Sequence, residues 1–231
     1  MPAVSTATTV GELVVDDPAR ARVFERLGLD YCCGGKRPLA EACRERGLDP
    51  DTVVAMLNAA EASGGRTGED WSRKPLTELC DHIVEAHHGF LRRELPRLST
   101  LLEKVERAHA AQSPALREVR TVFGELRAEL ESHTGEEERV VFPACRGLDA
   151  GAGGDDELAT RFAALESEHE AAGAHLERLS ELTGHFAVTQ AFCNTHRAAL
   201  DALRELELDL HEHIHEENNI LFPRALAAAT R

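Results

Sequence analysis

The chain has 231 residues, 42% of them hydrophobic and 29% charged, and its 4% aromatic content with abundant Ala, Leu, Glu and Arg favours a globular all-α protein. A formal net charge of -15 without any Lys/Arg cluster argues against nucleic acid as a partner. No apolar run approaches the roughly 20 residues of a membrane span, and Met1–Asp17 lacks the basic start and apolar centre of a signal peptide, so a cytoplasmic location is expected.

Three short helices are predicted first: Pro18 to Leu27, Pro38 to about Arg46, and Pro50 to about Ala62. They form a small helical domain over residues 1–63. The stretch 64–74, glycine-rich and polar, reads as a linker. Residues 75–231 hold four long segments with a period near 3.6: about Pro75 to Ala110, Pro114 to Pro143, Asp155 to Leu182, and Val188 to Arg224 or beyond. Short connections between long helices predict an up-down-up-down four-helix bundle. Pro143 and Pro223 are expected to end or kink their helices.

An internal duplication carries the strongest signal. HTGEEERVVFP from His133 and HIHEENNILFP from His213 share the His, both Glu, the Phe and the Pro at an offset of 80 residues. A spacing of four puts His133 with Glu137, and His213 with Glu217, one turn apart on one helix face. Each pair interrupts an apolar stripe: Val119, Phe123, Leu126, Leu130 and Val140 in the second long helix, and Phe192, Leu203, Leu206, Leu210 and Ile220 in the fourth. The third helix repeats the pattern with Leu158, Phe162, Leu165, His169 and Leu176. In the first helix two stripes overlap, one through Ile83 and His87 and one through Val84, His88, Leu91 and Leu95, and periodicity does not choose between the two histidines.

Depth agrees across the bundle. The histidines of the first and third helices lie roughly 20 Å inside their helix starts, and His133 and His213 roughly 15 Å before their prolines, which brings them to one layer. A lone histidine on an apolar face is more often a satisfied core residue, but several His and Glu in register are not explained so cheaply. Buried carboxylates in one layer need cations between them. Four imidazoles and two carboxylates suit two first-row ions such as iron, with manganese or zinc also compatible; structural zinc usually has cysteine among four ligands. Glu129 and Glu168 flank the layer as candidates to hydrogen-bond the ligands, with solvated rim charges as the alternative. His82, His109, His175, His185, His196, His211 and His215 are read as surface or locally hydrogen-bonded residues.

Six cysteines, Cys32, Cys33, Cys43, Cys80, Cys145 and Cys193, are scattered through helical patterns rather than arranged as a disulfide framework, so reduced thiols are expected. Cys32 and Cys33 are adjacent and cannot easily pair with each other. Followed by Gly34, Gly35 and Lys36, they read as either a reactive or metal-transferring pair, with a thiol pKa lowered by Lys36 and the next helix start, or as structural cysteines in a turn.

These residues resemble the RIC (repair of iron centres) family of the ScdA/YtfE type over nearly the whole chain. GELVVDDPARARVFERLGLDYCCGG is similar to its ScdA_N module, and DHIVEAHH, ESEHEAAG and the two repeats are similar to its hemerythrin-like bundle. The resemblance implies His88 as the ligand of the first helix, joining His133, Glu137, His169, His213 and Glu217, with the two glutamates bridging an oxo-bridged pair of iron ions. It implies repair of iron-sulfur clusters damaged by nitric oxide or oxidative stress, more by supplying iron than as an ordinary enzyme. Damaged iron-sulfur proteins and small ligands such as nitric oxide or oxygen would be the partners, and a homodimer is allowed. The pattern lacks the fifth histidine of oxygen-carrying hemerythrins. Reduction of nitric oxide or peroxide at the same centre, or sensing of oxygen or nitric oxide, are the alternatives.

Overall fold

The computed structural model describes residues 4–63, 70–151 and 157–230, with the side chains of residues 61–63 set aside. The expected linker falls mostly on residues 64–69 and the glycine-rich loop partly on residues 152–156, both outside the described residues. Among the described residues the structure is helical, with Thr9 and Pro38 forming an isolated bridge. No helix there is long and apolar enough to cross a membrane.

Two compact units result, one of Met1–Leu79 with His211–Arg231 and one of Cys80–Leu210. The sequence reading grouped everything after residue 74, whereas the structure gathers the last residues with the amino-terminal segment. The reason is local bonding: His211 Nδ1 donates to Glu25 at 2.8 Å, and Arg224 donates to the carbonyls of Trp71 (2.6 Å) and Lys74.

The first unit holds α1 (Val10–Asp16), α2 (Ala21–Leu27), α3 (Leu39–Glu45) and α4 (Pro50–Ser63). Helix α1 begins where Thr9 and Glu12 form a reciprocal capping box, which satisfies backbone donors that the first turn cannot. Helix α2 ends at Gly28, whose φ of 64° suits only a residue without a Cβ penalty. Val10, Leu13, Phe24, Leu39, Cys43 and Leu57 meet in its core.

The long segments begin with α5 (Leu76–Ile83), continued by a π-helical turn π1 (Val84–His88) and α6 (Gly89–His109). Helix α7 (Ala115–Glu136) leads through π2 (Glu137–Val141) into α8 (Phe142–Asp149); α9 (Leu158–Leu182) follows. Helix α10 (Asn194–Glu216) leads through π3 (Glu217–Leu221) into α11 (Phe222–Ala229). In the unit Cys80–Leu210, leucines at the 3.6-residue spacing of α6, α7, α9 and α10 share one core, among them Leu95, Leu98, Leu126, Leu176, Leu203 and Leu206. The helical class and the bundle expected from periodicity are therefore present.

Neither proline ends its helix, since the helices run on through Pro143 to Asp149 and through Pro223 to Ala229. A proline lacks an N–H and crowds the preceding turn, and a wider π turn just before it relieves both problems. In π2 and π3 the amides of Phe142 and Phe222 donate five residues back, to Glu137 and Glu217. The extra residue also shifts the phase of the apolar stripe. Val140 is consequently 38% exposed, while Val141 and Phe142 are buried. Phe192, expected in the stripe of α10, precedes the helix and is 45% exposed.

Candidate metal centre

Each π turn carries a candidate ligand: His88 ends π1, Glu137 opens π2 and Glu217 opens π3. Widened turns are frequent at functional sites because they re-aim side chains without ending the helix. In π1 the widening buries both histidines that periodicity left open, His87 at 4% and His88 at 1% exposure. Their roles differ by partner. His87 Nδ1 bonds Asp209 at 3.0 Å, whereas His88 Nε2 lies 3.4 Å from Glu137 Oε2.

Within the unit Cys80–Leu210, Glu137 is fully buried between histidines. His133 Nε2 is 3.3 Å from its Oε1, and His169 Nε2 is 3.0 Å from His133 Nε2. His133, Glu137 and His169 each offer an atom within 4.8 Å of the others'. Yet neither Glu137 oxygen meets hydrogen-bond geometry with any partner. A buried carboxylate left without hydrogen bonds is costly, and with the His88 and His133 nitrogens at 3.3–3.4 Å it could hold a cation.

The tautomers support the same reading. His133 Nδ1 donates to Glu168 at 2.7 Å, and His88 Nδ1 donates to Glu138 at 2.8 Å. With Nδ1 held by these carboxylates, each ring turns its Nε2 inward, the orientation that metal-binding histidines use. Glu138 also accepts from Arg92 Nη1 at 2.6 Å. Burial works against its carboxylate, but the bonds from His88 and Arg92 outweigh this and hold its pKa below the usual range. The His88 ring stacks on Phe142, centroids 5.6 Å apart, so the residue after π2 also fixes its orientation.

In the unit Met1–Leu79 with His211–Arg231, the second repeat sets His213 Nε2 3.2 Å from Glu217 Oε1, with exposures of 1% and 0%. The same His-x-x-x-Glu pairing thus recurs in both copies.

Of the two flanking carboxylates expected to support the ligands, Glu168 bonds His133, while Glu129 is half-exposed and lies 3.2 Å from His175 Nδ1. Glu138 was not anticipated. Its place in the second repeat is taken by Asn218, so the duplication does not mark it. Two histidines read as surface or locally bonded are buried, His196 and His215. Burial pushes the His215 pKa down to about 4 against the Tyr31 carbonyl that it faces.

Cys32 and Cys33 form no disulfide, their sulfurs lie 4.0 Å apart, and Asp30, Cys32 and Cys33 each offer an atom within 4.8 Å of the others'. The lowered thiol pKa expected from Lys36 is not found at Cys32. Its hydrogen bond with Cys33, burial and the Asp30 charge all push that thiol well above its ordinary value.

The ScdA_N domain, a domain of unknown function, matches residues 6–61, and the hemerythrin HHE cation binding domain matches residues 80–225. The iron-sulfur cluster repair protein YtfE of Yersinia pseudotuberculosis serotype IB is 36% identical over 219 residues, 94% of this chain and 96% of that protein. The protein of the same name from Yersinia pestis strain Pestoides F matches to the same extent. With its cation-binding domain and its likeness along almost the whole length, the chain belongs to the YtfE family of iron-sulfur cluster repair proteins.

Proposed function

We propose that this protein repairs iron-sulfur clusters damaged by nitric oxide or oxidative stress, holding two iron ions and supplying iron to cytoplasmic proteins that have lost it. The observation that carries the metal centre is Glu137, fully buried and without hydrogen bonds beside His88 and His133, whose Nδ1 protons go to Glu138 and Glu168. His88, His133, His169 and Glu137 would hold metal together with His213 and Glu217. The match of the HHE domain over residues 80–225, which takes in all six, and the duplicated His-x-x-x-Glu motif support that union. Glu137 and Glu217 would be the bridging carboxylates of an oxo-bridged pair. The name of the relatives, iron-sulfur cluster repair protein, supports the repair role.

Iron held there supplies a redox couple and open coordination positions. The residues of the chain do the rest. Glu168 and Glu138 would orient the His133 and His88 rings through Nδ1, leaving Nε2 of each for the metal. Cys32 and Cys33 are proposed as a thiol pair that assists transfer, with Cys33 the more accessible of the two.

Metal analysis and optical spectroscopy of the purified protein test the centre: Glu137→Ala and Glu217→Ala should each lose most of the iron, and near-normal iron in both sinks the bridging assignment. Repair is tested by whether an iron-depleted cluster enzyme regains activity with the loaded protein and not with the two variants. A cleft of about 290 Å³ lined by His88, Leu91, Leu95, Arg127 and Thr134 favours a second reading, small-ligand chemistry at the same centre. Catalytic consumption of nitric oxide by the reduced protein with an electron donor would establish it.

A further inference from the structure

The two copies of the duplicated motif diverge at positions that leave the ligand face. The first copy has Gly135 and an exposed Arg139, and 80 residues later the second has His215 and Asn219. These two replacements meet each other and a single turn of the amino-terminal segment. Asn219 Nδ2 donates to the carbonyls of Tyr31 at 3.3 Å and Cys32 at 3.2 Å, and it lies 3.2 Å from His215 Nδ1, itself 3.4 Å from the Tyr31 carbonyl.

Two glycines make room for that side chain. A Cβ on Gly11 would come within 2.3 Å of Asn219 Oδ1, and one on Gly35 within 2.2 Å. Gly11 N donates to the Gly35 carbonyl at 2.9 Å, so the two backbones and the Asn219 amide close on one another. The second glycine of the DYCCGG segment is therefore required by a residue near the other end of the chain. On the inner side of the turn the Asp30 carboxylate accepts from the amides of Cys32 (3.1 Å) and Gly34 (2.8 Å) and from the Cys32 thiol (3.3 Å). Asp30 collects the donors and Asn219 the carbonyls. Between them Cys32 is left 6% exposed.

We propose that Asn219 is the positioning residue of the Cys32–Cys33 pair, latching the turn that carries the thiols to the π3 segment that begins at the metal ligand Glu217. Exposure of Cys32 and order in π3 then rise and fall together. Because coupling is reciprocal, metal on Glu217 closes the thiol turn, and opening the turn weakens the metal. That last consequence rests on the metal reading above; the latch itself does not.

The experiment alkylates the full-length metal-free protein with iodoacetamide under native conditions and follows each cysteine by mass spectrometry. Asn219→Asp keeps the shape but turns a donor into an acceptor facing two carbonyls. Cys32 alkylation should rise at least about tenfold, the effect of losing roughly one hydrogen bond's worth of closure, while Cys43, fully buried in the core of the same unit, stays slow. An unchanged Cys32 rate overturns the proposal, and so does an equal rise at Cys43, which marks general loss of stability. If the variant does not fold, amide hydrogen exchange on the wild type decides: residues 32–37 and 217–222 should share one opening equilibrium within about threefold, and a larger difference overturns the latch. Adding ferrous iron should then slow Cys32 alkylation in the wild type but not in Asn219→Asp. Iron bound without such slowing overturns the coupling; iron not bound at all overturns the metal reading and leaves the latch to the metal-free comparison.

Discussion

His133 and Glu168 lie on different helices, yet the imidazole Nδ1 donates to the carboxylate at 2.7 Å while Nε2 faces Glu137 and His169. This bond crosses from an exposed residue to a buried one, and it sets which nitrogen carries the proton. Glu168→Gln should lower metal affinity by about 10–100-fold, as loss of such a partner does elsewhere. Because Glu168 is 57% exposed, thermal stability of the metal-free form should change little. Metal titration beside melting curves separates the two effects.

Glu137 is a stability liability in the metal-free chain. A buried carboxylate without hydrogen bonds costs stability, so Glu137→Leu should melt higher than the metal-free wild type and bind little metal. A variant that melts lower and keeps its metal would contradict the role assigned to Glu137.

Among the six cysteines, Cys193 is exposed and its thiol pKa is held below the ordinary value, first by the His196 amide at the start of α10 and then by His109 Nε2, 3.3 Å from the sulfur. Its thiolate persists to lower pH, so iodoacetamide at neutral pH should modify it first. The rate profile of Cys193 should lie at lower pH than that of Cys43, whose thiol burial pushes up. His109→Ala should slow Cys193 selectively.

His196 is buried and accepts from the Phe192 amide at 3.2 Å, and burial, with the neighbouring His109 charge, lowers its pKa from 6.5. The sign follows from linkage: the unfolded chain takes up the proton first, so this contribution is complete above about pH 6.5 and is lost as the pH falls below it. His196→Gln, which keeps an acceptor but does not titrate, should flatten the decline of the urea midpoint between pH 7.5 and 5.5. An identical slope in variant and wild type would remove His196 from the acid response.

Sequence alone determined the helical class, the long amphipathic segments and the duplicated His-x-x-x-Glu motif, because apolar spacing and repeated residue types are properties of neighbours along the chain. Periodicity could not decide between His87 and His88, although the family resemblance implied His88. Periodic reasoning assumes 3.6 residues per turn, and the π1 turn breaks that assumption so that both rings point inward; only their partners, Asp209 for one and Glu137 for the other, separate them. The same phase shift exposed Val140 and buried Val141. Glu138, bonded to a histidine 50 positions earlier, and Asn219, bonded to carbonyls almost 190 positions earlier, belong to contacts that no local pattern encodes. Tertiary structure decided which carboxylates meet His88 and His133 and which side chain meets the carbonyls of the thiol turn, since hydrogen bonds between distant segments exist only once the helices have packed.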